Sequence, residues 1–444
     1  MKKRIVAILL IFAAVASFSA CKNITPGDIF PSLVPGGSTQ KEYKGYYGVE
    51  RESYDAQSPY YSGKSLGYGY NDLTSEDMKT CYNRIDESVY YISDDKDEDK
   101  GIYKTLKIEL DGIKLTEAQL RVIISAYFGD NPQVFWIDNN FEYASTDQKT
   151  VLQLYSFLSG REVEVYLGTL SDKVESIVSS LPQGLDEYTR ELMLHDALVD
   201  GCDYADGVES IEDDYKAFTS YGALVSNSAV CEGYSRGFQL LLSEVGIESY
   251  CVLGVGSEEL HMWNCVLLGS DWYYTDTTWD EDDEASICYD YFNLTTEQIE
   301  RDHLINPLYS EISDEEICGN SITPPKSFNI FVPDCDETEY NYFSQSAVVI
   351  DGIGLDNSEK LSNAIIAAAE RAESEYACIP VAIDTYYLGY EYALDNLFYG
   401  GEYMVFDCID DINSRGLGFT IDRNDVSIRR LEDFSAVYIY ISIE

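Results

Sequence analysis

Ala229-Val230-Cys231-Glu232-Gly233-Tyr234-Ser235 carries a loop straight into a helix and puts a thiol in its first turn. Behind it Tyr234, Phe238, Leu241, Leu242 and Val245 recur at three-to-four-residue spacing, and Gly246 ends the run. The spacing predicts an amphipathic helix that begins at Cys231. A helix N-terminus favours negative charge and lowers a thiol pKa, which a nucleophilic thiolate needs. Its unsatisfied N–H groups also suit a developing oxyanion. Glu232 opposes a thiolate unless its carboxylate turns away.

Working outward, His261-Met262-Trp263-Asn264-Cys265-Val266-Leu267-Leu268 and Asp271-Trp272-Tyr273-Tyr274-Thr275-Asp276 read as two strands joined by Gly269-Ser270. Gly first in a two-residue loop suits a type II′ turn. Pairing Leu268 with Asp271 sets Trp263 opposite Asp276, and His261, two residues away, shares that face. His261 and Asp276 then become diagonal neighbours, about 7–8 Å apart at the backbone. A slip of one residue throws Asp276 onto the other face. Cysteine, histidine and aspartate brought together can form a thiolate, attack a carbonyl and pass a proton to the leaving group.

Competing residues have plainer readings. Cys265 shares the His261 face but lies about 13 Å along the strand. Cys251 belongs to an apolar strand and Cys202 to the loop Asp-Gly-Cys-Asp-Tyr. Tyr221 and Asn227 are near enough in sequence to supply a second oxyanion donor, and equally suit packing and a turn. His195 shares a helical stripe with Leu192 and Val199 and reads as structural. His303, in Arg-Asp-His-Leu, has no chemical companion and reads as surface.

The stretch from about Glu187 to Asp280 resembles the transglutaminase-like superfamily. The matching residues are Val230-Cys231-Glu232-Gly233-Tyr234, His261-Met262-Trp263-Asn264 and Tyr274-Thr275-Asp276-Thr277-Thr278-Trp279-Asp280. His195-Asp196-Ala197-Leu198-Val199 and Tyr204-Ala205-Asp206 are similar to the segments that precede the nucleophile. The resemblance implies an α+β, papain-like core, with Cys on a helix packed against an antiparallel sheet carrying His and Asp. It implies Cys231 as nucleophile, His261 as base then acid, and Asp276 as the orienter of the imidazole. No cofactor and no metal is called for.

Attack on an amide gives a thioester, which water resolves as hydrolysis and an amine resolves as cross-linking. Water is always present and an amine must be bound, which favours hydrolysis of a protein or cell-wall peptide. Transglutaminase-type cross-linking stays open, as does a non-catalytic surface module that binds through its tyrosines.

Lys2, Lys3 and Arg4 precede the apolar run Ile5–Val15, a pattern of export. Phe18-Ser19-Ala20-Cys21 resembles a bacterial lipobox, with Phe18 where Leu is more usual, so Cys21 is the expected lipidation site and membrane anchor. The parse is a signal peptide over 1–20, a tether over 21–70, an N-terminal α/β region over 71–184, and the catalytic core over 185–318. A linker follows over 319–337, then a C-terminal α/β domain over 338–444. In the N-terminal region the pattern predicts helices over Ser75–Ile92, Thr116–Tyr127 and Ser171–Leu181 and a strand over Ile102–Leu110. In the C-terminal domain it predicts a helix near Ser358–Ala372 and late strands over Tyr403–Ile409 and Val437–Ser442.

A net charge of −49 excludes nucleic acid and anionic membrane surfaces as partners. With 45% hydrophobic residues and 13% aromatics the 444-residue chain can nonetheless bury a core. Asp95, Asp97 and Asp99 alternate, but Lys100 and Leu106 occupy the positions where an EF-hand needs Gly and Glu. Asp280 to Glu284 reads as a solvated acidic loop. Eleven cysteines show neither a zinc pattern nor a CxxC pair.

Overall fold

A computed structural model describes residues 43–49, 67–282, 286–312, 328–345, 347–350, 357–372, 376–384, 389–399 and 404–444. The leader, the lipobox and Cys21 lie outside the described residues, as does most of the expected tether. Helices and strands are both abundant, and the described residues form two compact units.

The first unit comprises the described residues up to Trp272, with Asp276–Thr278 and Glu297–Asp334. Its N-terminal part is an antiparallel sheet in which Lys149–Ser156 is flanked by Tyr103–Thr105, Ile108–Asp111 and Ile137–Thr146. The single strand expected over 102–110 is thus two short ones that pair with the same neighbour. Tyr46–Gly48, inside the stretch read as a tether, is also a strand and pairs with Tyr91–Ser93. Helix Glu76–Ser88 starts at the cap Ser75, whose hydroxyl accepts from Met78 N–H. Helix Glu117–Asp130 opens on a capping box of Thr116 and Gln119. The helix expected from Ser171 begins eleven residues earlier, at Gly160, because Ser159 and Glu162 form another such box.

The second sheet of this unit runs from Glu259–Leu268 through Glu248–Gly256 to His303–Ile305, with Asp271 and Trp272 at its other edge. His261 pairs with Gly254, and His303 pairs with Gly256. Gly269 at the first turn position has φ of 60°, as a type II′ turn requires. Helix Cys231–Glu244 packs against this sheet. It ends where expected: Gly246, at φ 76°, donates to Ser243 O, and Ile247 donates to Leu242 O, a Schellman close.

The described residues of the N-terminal region and of the expected core up to Trp272 fall in one compact unit. Burial explains why. Arg236 Nη1 and Gln239 Nε2, both on the Cys231 helix, donate to Phe128 O and Gly129 O at the end of helix Glu117–Asp130. Ser220 Oγ donates to Pro132 O. Backbone carbonyls taken out of water need such partners, so the two regions complete each other. Nor is 328–334 part of a linker. Asn329 is buried, its Oδ1 accepts from Leu253 N–H, and its Nδ2 donates to Leu253 O and Asn306 O. The rest of the expected linker, 319–327, lies outside the described residues.

The second unit holds Tyr273–Thr275, Trp279–Thr296 and Cys335–Glu444, so it takes residues that the sequence parse gave to the core. Its sheet has the order Val348–Ile350, Tyr376–Ile383, Ala436–Ile443, Ile421–Leu431. Helices Asn357–Arg371 and Met404–Arg415 bury Leu361, Ile365, Val405 and Ile409 in its apolar core. Residues from Met404 are helical where a strand was expected, because Val405, Cys408, Ile409 and Ile412 bury one helical stripe. Asp280 is buried here rather than solvated, and its Oδ1 accepts from Tyr291 N–H.

Two glycine substitutions test the packing of the first unit with opposite signs. A Cβ on Gly129 meets the buried Tyr250 hydroxyl at 2.1 Å, whereas one on Gly168 meets nothing within 4 Å. Gly129→Ala is expected to destabilise by about 1–3 kcal/mol. Gly168→Ala, inside helix Gly160–Ser180, is expected to stabilise by about 0.5–1 kcal/mol. Urea denaturation of each variant measures both.

Candidate active site

The Cys231 helix enters the site on a tightly held backbone. Its N-cap, Val230, is extended and supplies no side-chain cap. Val230 N–H donates to Ala217 O, and a Cβ on Gly233 would lie 2.4 Å from that same carbonyl oxygen. Glycine is therefore the residue that lets the first turn approach the Ala217 segment. Tyr234, fully buried, donates its hydroxyl to Cys202 O.

Ser235 ties this helix to the His261 strand. Its Oγ lies 2.9 Å from Cys231 O and 2.8 Å from Met262 O. Asn264 Nδ2 returns a bond to Ser235 O at 3.0 Å. Both residues are buried, so the thiol-bearing turn and the residue after His261 are fixed in mutual register. Glu232, whose charge opposes a thiolate at Cys231, is bound to Arg236 at 2.9 Å one helical turn on. Burial alone would work against the Arg236 charge, but Glu232 holds the guanidinium firmly protonated.

His261 and Asp276 meet. His261 Nε2 donates to Asp276 Oδ2 at 2.7 Å, and both residues are buried. The Cys231 sulfur is near enough to the same imidazole to help hold its proton. Asp276 Oδ1 accepts from Thr278 N–H at 3.0 Å. Burial disfavours a charged His261, but the Asp276 carboxylate and the Cys231 sulfur outweigh it and push the ring up to about 10. Burial likewise disfavours an ionised Asp276, yet His261 and His303 hold its carboxyl well below the ordinary carboxylate range.

His303 is the residue sequence reasoning missed. It is buried, not at the surface, and donates from Nε2 to Asp276 Oδ2 at 3.1 Å. Nδ1 donates to Asp302 Oδ1 at 2.6 Å. The short strand His303–Ile305 turns His303 inward and leaves Leu304 exposed, the period-two alternation of a strand. Three residues are too few to show that alternation in the sequence. Gly254 makes the room, because a Cβ there would strike Leu304 O at 2.3 Å and the Trp263 ring at 2.5 Å.

The other candidates are placed elsewhere or do packing work. Tyr221 stacks on Tyr166, and Asn227 takes a left-handed conformation at φ 56° as the C-cap of the single turn Gly222–Ser226. His195 is buried, edge-on to Phe238. Cys251 is buried and its thiol is pushed up to about 12 by burial. Cys231 has a free thiol, and with Cys378 it is one of the two described cysteines that are not buried. His261, Asp276 and His303 bring ligand-type atoms within 4.8 Å of one another, the one such group among the described residues. Two hydrogen bonds to Asp276 Oδ2 already engage those atoms.

The chain matches no family model and no curated protein. Two solved structures align with parts of it. A proposed cysteine protease from Cytophaga hutchinsonii is 11% identical, over 31% of this chain and 61% of that one, with a TM-score of 0.21. A TGase is 13% identical, over 39% of this chain and 50% of that one, with a TM-score of 0.22. Both matches span less than two thirds of the matched structure. Likenesses this partial carry no argument about activity, which has to be read from the side chains themselves.

The charge on His261 is directly measurable. Its ring resonances in an NMR titration should keep the imidazolium signature until pH climbs towards about 10. In Asp276→Asn the midpoint should fall to the ordinary histidine range or below, since burial then dominates. Because the folded value exceeds the unfolded value of about 6.5, this pair contributes stability that is complete below pH ~6.5 and lost as pH rises through the folded value. The stability difference between wild type and Asp276→Asn should narrow across that window.

Proposed function

We propose that this chain is a cysteine-dependent acyl-transfer enzyme that hydrolyses amide bonds of proteins or cell-wall peptides. Cys231 is the nucleophile, His261 the general base and then acid, and Asp276 the orienter. One observation carries the reading. A buried imidazole lies between a buried carboxylate, 2.7 Å from Nε2, and a thiol in the first turn of a 14-residue helix.

With Nε2 committed to Asp276, Nδ1 holds the proton drawn from Cys231, and the pair rests as thiolate and imidazolium. The thiolate attacks the carbonyl carbon, and the oxygen takes the negative charge. Backbone N–H groups in the first helical turn, which no side chain caps, suit that oxyanion. Collapse breaks the C–N bond, the amine leaves with the proton from His261, and a thioester remains. Water then attacks the thioester while His261 takes its proton, releasing the acid and restoring the thiol.

The binding-module alternative drew on tyrosine richness, and much of that richness is internal. Tyr127, Tyr155, Tyr234, Tyr250, Tyr274 and Tyr438 are all buried. Export and lipid anchoring through Cys21 complete the proposal and rest on the leader sequence alone. No described helix is long and apolar enough to cross a membrane.

A peptide library incubated with the protein and followed by mass spectrometry, with and without a primary amine, tests the reading. Hydrolytic fragments are expected, absent with Cys231→Ala and slowed about 10²–10⁴-fold with His261→Ala. Amine adducts in place of fragments would move the assignment to cross-linking. Fragments that persist in Cys231→Ala would remove the thiol from the chemistry.

A further inference from the structure

We propose that His303 is a positioning residue of this site, a doubly donating imidazolium that clamps the Asp276 carboxylate and balances the charge of the buried cluster. The inference deepens the proposed function and rests on it for the role of Cys231.

The geometry starts from donors and acceptors. Both ring nitrogens of His303 face carboxylate oxygens, Asp276 Oδ2 at 3.1 Å and Asp302 Oδ1 at 2.6 Å. An ionised carboxylate only accepts, and a neutral imidazole has one donor. Both bonds are made together only by the doubly protonated ring. The charged and titratable groups that face it are Asp276, Asp302 and His261, whose ring centroid lies 5.3 Å away. Burial and the His261 charge oppose the charge on His303, while the two carboxylates sustain it and raise its pKa.

Two consequences follow for the Cys231–His261 pair. First, Asp276 cannot turn. Oδ2 receives both imidazoles and Oδ1 receives Thr278 N–H, so the carboxylate that orients His261 is held from three directions. Secondly, charge is balanced around the buried carboxylate. A Cys231 thiolate, a His261 imidazolium and the Asp276 carboxylate together carry one excess negative charge, which His303 cancels, while Asp302 keeps its contact with water. Buried charge is tolerated when it is paired, and an uncompensated one is costly.

Tests use the full chain, and all but the comparison of turnover on the peptide library need no substrate. In the wild type at neutral pH, ¹⁵N shifts of the His303 ring should show both nitrogens protonated. A single protonated nitrogen would overturn the inference without any variant. The pH profile of Cys231 alkylation by iodoacetamide is the second readout, with folding of each variant checked by thermal unfolding. His303→Ala should move the rise in rate up by about one pH unit, roughly tenfold slower alkylation at a fixed pH below the rise. His303→Gln can still donate to Oδ2 but carries no charge. It should keep the displaced profile while recovering most of the turnover lost in His303→Ala. Profiles superimposable on the wild type, or Gln no better than Ala in turnover, would reduce His303 to packing. Failure of the catalytic-thiol reading is separately visible, since Cys231 would then alkylate no faster than Cys378 in the wild type.

Discussion

A carboxylate moved from water into a protein interior costs several kcal/mol unless opposite charge and hydrogen bonds replace its hydration. Asp276 is completely buried, and every other feature of the site is arranged to meet that requirement. His261 and His303 donate to one of its oxygens and Thr278 N–H to the other. The return on this arrangement is orientation. A carboxylate that cannot rotate fixes the plane and protonation of the His261 ring, and that ring in turn faces the Cys231 thiol. If Asp276 were solvated, His261 could take many orientations, and a thiol at a helix start would have no defined base.

The same logic explains why the first unit is a single body. The Cys231 helix is polar where it crosses the N-terminal region, through Arg236 and Gln239, and their partners are the carbonyls of Phe128 and Gly129. Removing either side leaves buried donors or acceptors bare, at about 1–3 kcal/mol each. Ser235 and Asn264 stitch that helix to the strand carrying His261. The position of the sulfur relative to the imidazole is therefore set by ties to the strand and to the N-terminal region alike, and the N-terminal region is part of the support of the site.

How much of this was legible in the sequence depended on the length of the signal. The Cys231 helix, from its first residue to the Gly246 stop, was readable because five apolar residues repeat over four turns. The strand bearing His261 and the turn at Gly269-Ser270 were readable because a largely apolar run and a turn-specific glycine agree. Long segments went wrong where a cap was overlooked, as at Ser159-Glu162, or where period two and period 3.6 compete over a few residues, as after Met404. His303 was invisible for a different reason. It reaches Asp276 on a three-residue strand that pairs with Glu248–Gly256, and such pairing comes from tertiary structure, not from local pattern. Asn329, which straps a supposed linker to Leu253, was hidden in the same way.

The account stands on a thiol made unusually reactive by the imidazole beside it. The most direct measurement is the ratio of alkylation rates of Cys231 and Cys378 in the native chain at neutral pH, since both are half-buried. The account predicts that Cys231 reacts far faster and that the advantage collapses in His261→Ala. Equal rates in the wild type, or a ratio untouched by loss of His261, would contradict it.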